Sequence, residues 1–478
     1  MRRPRGPAPS RWRWCTRARP RLRWSVRARP LRRSVRARPQ LRFHHPHDRE
    51  ILRLAVPAFG ALVAEPLFLL ADSAIIGRLG TPQLAGLGVA GAILVTAVSL
   101  CVFLAYGTTA SVARRSGAGD RRGALAQGVD GLWLALGVGL ILTAAGWGAA
   151  PALIDAFGTS ASASPYALVY LRVSLFGIPS MLLVLAATGV LRGLQDTHTP
   201  LVVAATAALA NLGLNMALVY GAGLGVAGSA LGTVLAQTGA AAWLVAVVVR
   251  AARLEDAPLR PDRRGIRAAG AAGVPLLVRT MTLRAALLVA TYVATAQGDV
   301  ALASHQVAFA VWNLLALALD ALAIAGQAIV GRYLGASDVV GARAATRRMI
   351  EWGVLGGVLA GLLVVVARPA YVPLFSTDPD VRRSLAAVLV VVAVMQPIAA
   401  IVFVLDGVLI GAGDGRYLAV AGIAALAAFL PCTWLVLATG AGLEALWWAI
   451  GVLMLARLAT LVLRARTDAW LVTGAARR

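Results

Sequence analysis

Along most of the chain, apolar residues run in stretches of about twenty, separated by short clusters of Gly, Pro, Asp and Arg. At 1.5 Å of rise per residue, a helix of that length crosses a hydrocarbon core of about 30 Å. The stretches are rich in Ala, Gly, Leu and Val and show no period-two alternation, so they read as helices and not as strands of a barrel. Spans are predicted near 51–79, 84–111, 124–148, 165–190, 199–220 and 225–250, then near 268–296, 302–330, 345–368, 382–409, 417–438 and 443–464. The fold class expected is an all-α membrane protein with twelve transmembrane helices.

The two sets of six spans repeat each other. At a constant offset of 218 residues Pro57 meets Pro275, Gly80 meets Gly298, and Arg114, Gly117 and Asp120 meet Arg332, Gly335 and Asp338. Further along, Pro151, Phe157, Pro179 and Gly189 meet Pro369, Phe375, Pro397 and Gly407, and GVLRGLQD (189–196) aligns with GVLIGAGD (407–414). An ungapped offset that aligns prolines, arginines and aspartates marks an internal repeat. The domains expected are an N-lobe at 50–250, a charged linker at 251–267, a C-lobe at 268–470 and a tail at 471–478. Six spans per half make the repeats parallel, related by an axis along the membrane normal, with a cavity between them. That architecture suits alternating access.

Polar positions set the orientation. Arginines crowd the even loops (Arg114, Arg115, Arg121, Arg122; Arg192; the linker; Arg332, Arg343, Arg347, Arg348; Arg416), while the odd loops at 149–164, 221–224, 297–301 and 439–442 carry none. Arg78, Arg368, Arg382 and Arg383 are exceptions. The positive-inside rule then puts both termini in the cytoplasm.

Composition changes the picture at two points. All 46 basic residues are arginine, which excludes a P-loop and a Schiff-base lysine. Residues 1–49 hold 17 arginines and one acid, with RWRW at 11–14 and SVRARP at 25–30 and 34–39. This segment has too little apolar surface to fold and is expected to be disordered. It reads as an anion-binding arm, as a targeting peptide without an apolar core, or as upstream sequence translated from an early start. The last is preferred, and no nucleic-acid partner is expected. Cys15, Cys101 and Cys432 lack metal or redox spacing, and no metal or cofactor is expected.

Few charges lie inside the spans, and each is a candidate site. Asp72 stands in LFLLADSAIIGRLG (67–80). Glu65 precedes it by seven positions on roughly the same helical face, and Pro57 and Pro66 are placed to kink that helix. Asn211 and Asn215 share a face of the fifth span, and Thr233 and Gln237 lie one turn apart in the sixth. Together these could form a cluster of oxygens, although such groups also join helices. An aspartate at the bilayer centre costs about 2.5–3.5 kcal/mol, a cost that protonation removes, so Asp72 is read as a group that loads and unloads a proton. Hard cations also take such oxygens, which leaves sodium open. The repeat puts Ala290 at the position of Asp72, and the second half instead carries Arg279, Arg284, Asp320 and Asp406, expected to pair as a charge network. His305 is expected to donate a hydrogen bond near the surface. No catalytic constellation is found, so no enzymatic activity is expected.

Five segments carry a resemblance: PAFGALVAEPLFLLADSAIIGRLG (57–80), GVLRGLQDTHTP (189–200), NLGLNMALVYG (211–221), GVAGSALGTVLAQ (225–237) and ASHQVAFAVWNLLALALDALAIAGQAIVGRYLGA (303–336). With the two six-span halves, the chain from residue 50 to about 470 resembles the multidrug and toxic compound extrusion (MATE) family, in its DinF-like branch. The resemblance implies a two-lobed exporter of organic, often cationic or amphipathic compounds, working by antiport against H⁺ or Na⁺. The cell membrane is the expected location, and nothing in the sequence calls for more than a monomer. It implies that Asp72 is the coupling residue, with Asn211, Asn215 and Thr233 around it. Asn215 departs from a position where relatives often carry Asp, which favours H⁺ over Na⁺. The rival readings are a lipid-linked precursor flippase of the same superfamily, typically with about fourteen spans, and a membrane protein that transports nothing.

Overall fold

The computed structural model describes residues 46–475. The arginine-rich segment lies outside them apart from residues 46–49, which form the first turn of the first helix, where Asp48 is buried and ion-paired to Arg348. Residues 46–49, expected as the end of the tail, thus belong to the first helix, and the rest of that expected tail lies outside the described residues.

The described residues are mostly helical. They form α1 (Pro46–Gly77), α2 (Thr81–Leu100), α3 (Phe103–Gly117), α4 (Arg121–Ala156), α5 (Ser164–Leu175), α6 (Ile178–Gly193) and α7 (His198–Met216), which ends in a π-helical turn at Ala217–Gly221. Then come α8 (Gly225–Leu254), α9 (Arg263–Ala296), α10 (Asp299–Gly335), α11 (Val339–Phe375), α12 (Pro379–Gly411), α13 (Gly415–Thr439) and α14 (Gly442–Arg466). α2 and α3 make one span, and α5 and α6 make another, bent by 49° where Gly177 and Pro179 interrupt it. Twelve spans result.

The repeat is written into the turns. Asp120 caps α4 by accepting from Gly123 N at 2.8 Å, and Asp338 caps α11 by accepting from Gly341 N at 2.7 Å. Such a cap satisfies a donor that the first helical turn leaves free. Gly119 and Ser337 share a left-handed conformation (φ 80° and 60°), and so do Gln195 and Gly413 (φ 68° and 71°). Each pair is 218 residues apart.

Each half has its own core. One packs Ile76, Leu104, Leu182 and Leu244, and the other packs Leu385, Phe429, Leu446 and Trp447. A third core joins them: Ile51 and Leu54 of α1 bury against Ile329, Leu334, Met349 and Leu409 of the second half. Among the described residues, every hydrogen bond or ion pair between the halves lies toward the even loops. Examples are Gln195 Nε2 to Ala328 O (2.9 Å), Arg114 Nη1 to Ala412 O (3.1 Å), Arg332 to Glu50, and the two-pronged pair of Arg348 with Asp48 (2.6 and 2.9 Å). The lobes are thus fastened at the even-loop face, and no such bond joins them toward the odd loops.

Candidate functional site: a buried carboxylate in the first lobe

α1 runs unbroken through both of its prolines. Pro57 has no N–H for the carbonyl of Arg53, and the Thr197 hydroxyl donates to that carbonyl at 3.4 Å instead. The upper part of α1 then carries Asp72 against α7 and α8, where it is 1% exposed.

Three neutral donors meet its carboxylate. Asn215 Nδ2 donates to Oδ1, and the Thr233 hydroxyl donates to Oδ2 at 3.4 Å. The Asn211 amide suits its neighbours with its nitrogen donating to Asp72 Oδ1 at 3.1 Å and its oxygen accepting from Thr233 N at 3.3 Å. No cation pairs with Asp72 among the described residues. Dipoles alone hold the charge, and in such a place adding a proton is the direct way to remove it. The structure thus brings Asp72, Asn211, Asn215 and Thr233 together.

Other residues stand apart. Glu65 is exposed, and neither it nor the half-buried Gln237 makes a hydrogen bond or ion pair among the described residues. Tyr170 of α5, not singled out by the sequence, stands beside Thr233, Ser174 and Ser229 and within electrostatic range of Asp72. The signal was weak, because a Tyr and two serines in apolar spans look like ordinary packing. Asn215 Oδ1, Ser174 Oγ and Ser229 Oγ are buried without hydrogen-bond partners among the described residues. Oxygens are therefore present for a small cation, but with a single carboxylate. No group of three or more His, Cys, Asp or Glu side chains suited to a metal occurs among the described residues.

The second lobe has no copy of the site. Ala290 is buried in its core at the position of Asp72. Its charges pair differently from the expectation. Arg279 and Asp406 do form an ion pair, but the second partner of Asp406 is Arg457 (3.1 Å), which sequence reading passed over. Arg284 is exposed, and neither it nor Asp320 makes an ion pair among the described residues. Spacing along one helix did not reveal which arginine would turn inward. His305 is buried, stacks on Phe309 and leaves Nδ1 without a partner among the described residues, so it is not the surface donor expected.

The MatE family model matches this chain twice, at residues 57–217 and 275–435. The chain belongs to the MatE family. The two matches are themselves 218 residues apart, the offset of the internal repeat. Among curated relatives, Protein DETOXIFICATION 45, chloroplastic, of Arabidopsis thaliana is 29% identical over 436 residues, 85% of this chain and 76% of the relative. Probable multidrug resistance protein NorM of Thermotoga maritima is 24% identical over 373 residues, 77% and 80% of the two chains. The fold is that of a MOP superfamily transporter from Pyrococcus furiosus Vc1, with a TM-score of 0.80, 22% identity and coverage of 88% of this chain and 96% of that one. A crystal structure of a MATE transporter in the bent conformation gives a TM-score of 0.81 at 23% identity, covering 88% and 95%. The protein is accordingly a multi-pass membrane transporter of the MATE family and not an enzyme, with multidrug and detoxification proteins among its relatives.

Proposed function

We propose that the protein exports organic, amphipathic compounds, cationic ones among them, by antiport against H⁺ through Asp72, as a DinF-like member of its family. It works in the cell membrane with both termini cytoplasmic. The fastened even-loop face is then the cytoplasmic one, and the lobes part outward. The observation that carries the reading is the burial of Asp72 among three neutral donors with no cation beside it. A proton entering from outside neutralises Asp72 and loosens its hold on Asn215 and Thr233. α1 then shifts against α7 and α8. Proton and substrate prefer opposite states, which is the coupling free energy antiport needs. With asparagine at 215, one carboxylate serves the site, which favours a single proton over a sodium ion. Twelve spans also speak against the flippase alternative.

The test is export of a fluorescent cationic dye from efflux-deficient cells by the protein and by Asp72→Asn, with and without a protonophore. Dye loss abolished by both treatments supports the reading. Asp72→Asn exporting at the wild-type rate at every pH would remove it.

A further inference from the structure

One arginine inside the fourth span serves neither the Asp72 site nor the contacts between the lobes. Arg172 of α5 holds its guanidinium carbon 5.4 Å from the centre of the Trp147 ring on α4. Trp147 packs in turn against Phe176, 5.2 Å away just past the end of α5. Trp147 is 43% exposed and Phe176 59%, so the three side chains form a patch on the open surface between α4 and α5. α5 packs on α2, α4 and α8, all of its own lobe. Exposed Leu140 and Ile141 extend the patch along α4 toward the even-loop side. Acyl chains are as apolar as these side chains and cover such a surface.

Among the described residues Arg172 makes no hydrogen bond or ion pair, and its Nε is buried without an acceptor. α5 and α6 carry no carboxylate. Asp155, the next one along α4, stands roughly 12 Å of helix beyond Trp147. A charge inside a span needs a counter-charge or a wet surface.

Its depth gives Arg172 access to the headgroups. α5 and α6 together run about 45 Å and exceed a hydrocarbon core of about 30 Å by roughly 7 Å at each end. Arg172 lies about 12 Å from the odd-loop end at Ser164, hence roughly 5 Å inside the hydrocarbon. Its Cβ tilts toward the N-terminus of α5, which is that same end, and an arginine is long enough to carry its charge from there to the interface. Trp147 is of a residue type enriched at that level.

The internal repeat supplies a comparison. At the offset of 218, Trp147, Arg172 and Phe176 meet Val365, Val390 and Val394. Val390 and Val394 are exposed too, so the matching face of the second lobe is plain aliphatic. That lobe has an arginine near this end, Arg368, but it turns to its own backbone and donates to Ala386 O at 2.8 Å. The unpartnered cation and its rings are additions of the first lobe.

We propose that Arg172, Trp147 and Phe176 form a binding site for the phosphate of an anionic phospholipid in the leaflet on the odd-loop side. One guanidinium meets one phosphodiester charge, a pairing that its planar fork favours. A zwitterionic headgroup brings an ammonium of its own, which competes for the phosphate. The site adds a lipid partner and does not depend on which compound or ion the transporter carries, so it can be tested without transport.

The test uses the full-length protein in phosphatidylcholine nanodiscs. Photoactivatable phosphatidylglycerol or photoactivatable phosphatidylcholine is added in equal trace amount, each with a diazirine high on one acyl chain. Cross-linked peptides are mapped by mass spectrometry, and the melting temperature of each variant is the folding control. Phosphatidylglycerol should label the peptides around Trp147 and Arg172 at least fivefold more than phosphatidylcholine does. Arg172→Gln should remove that preference, and Trp147→Leu should weaken it. Arg172→Lys, which keeps the charge without the planar fork, should lower it two- to threefold and decides the matter if Arg172→Gln does not fold. Equal labelling by the two lipids in the wild type overturns the proposal. So does a preference that Arg172→Gln, or Arg172→Lys in its place, leaves intact, since other arginines would then attract the lipid.

Discussion

Gly117 and Gly335 hold equivalent positions in the two halves, and each presses on the helix that carries the other. A Cβ on Gly117 would strike Arg332 O, and a Cβ on Gly335 would strike Arg114 O, both well inside van der Waals contact. α3 and α10 therefore cross backbone to backbone, the approach that small residues allow between membrane helices. The pseudo-two-fold axis passes through this crossing. Overpacking typically costs about 1–3 kcal/mol, and here the cost falls on the state in which the crossing is closed. Gly335→Ala should shift the population about tenfold or more toward the opened face, read as longer distances between spin labels on α3 and α10. Gly137→Ala, where nothing lies within 4 Å of the added carbon, should leave the distances unchanged.

Asp406 is shared by the buried Arg457 and the half-buried Arg279, and its removal would leave both without that partner. Breaking a buried pair from one side costs about 3–5 kcal/mol. Asp406→Leu should therefore lower the thermal stability of the purified protein sharply. Arg284→Leu, at an exposed position, should change it by no more than about 0.5 kcal/mol. Equal effects would mean that Asp406 is held by packing and not by its arginines.

The contrast between Arg284, which stays exposed, and Arg457, which turns in to Asp406, shows what sequence can and cannot reveal. Hydrophobic spacing located the spans because a bilayer fixes their length, and the offset of 218 showed the two halves because caps and turns recur with it. Asp72 stood out because a carboxylate in an apolar run is costly whatever surrounds it. Asn211, Asn215 and Thr233 could be joined to it because i, i+4 spacing puts the asparagines on one face. Partnership across helices left no such trace. Nothing in the run of α14 marked Arg457 as the partner of Asp406, and nothing in α1 showed that its face would open at Glu65 yet close at Asp72. Those outcomes depend on the rotation of each helix against its neighbours, which packing fixes and a single sequence does not display.

Asn215 leaves the cluster around Asp72 with one carboxylate. A second carboxylate beside Asp72 would give a hard cation two charged ligands together with the oxygens of Asn211 and Thr233. Asn215→Asp should therefore make dye export respond to a sodium gradient, while the parent protein responds to a proton gradient alone. Export by Asn215→Asp that stays indifferent to sodium would show that a second carboxylate does not by itself create a sodium site.

The segment after α14 closes over the same crossing that Gly117 and Gly335 form. Trp470 is 2% exposed in the core shared by the two lobes, and its Nε1 donates to Ala465 O at 3.2 Å. Gly474 N donates to Leu334 O at 3.0 Å, one residue from Gly335, and Arg114 of the other lobe donates to Val472 O. Asp468 pairs with Arg343 of α11. One short segment thus holds both helices of the crossing. Truncating a buried Trp to Ala costs about 3–5 kcal/mol, and each hydrogen bond contributes about 1 kcal/mol more. Trp470→Ala should lower the melting temperature and speed amide exchange at the α10 terminus, leaving exchange around Asp72 unchanged. A chain ending at Arg466 should show the same pattern more strongly, with a population shifted toward the opened face. If both variants melt and exchange like the full chain, the segment rests on the crossing without holding it.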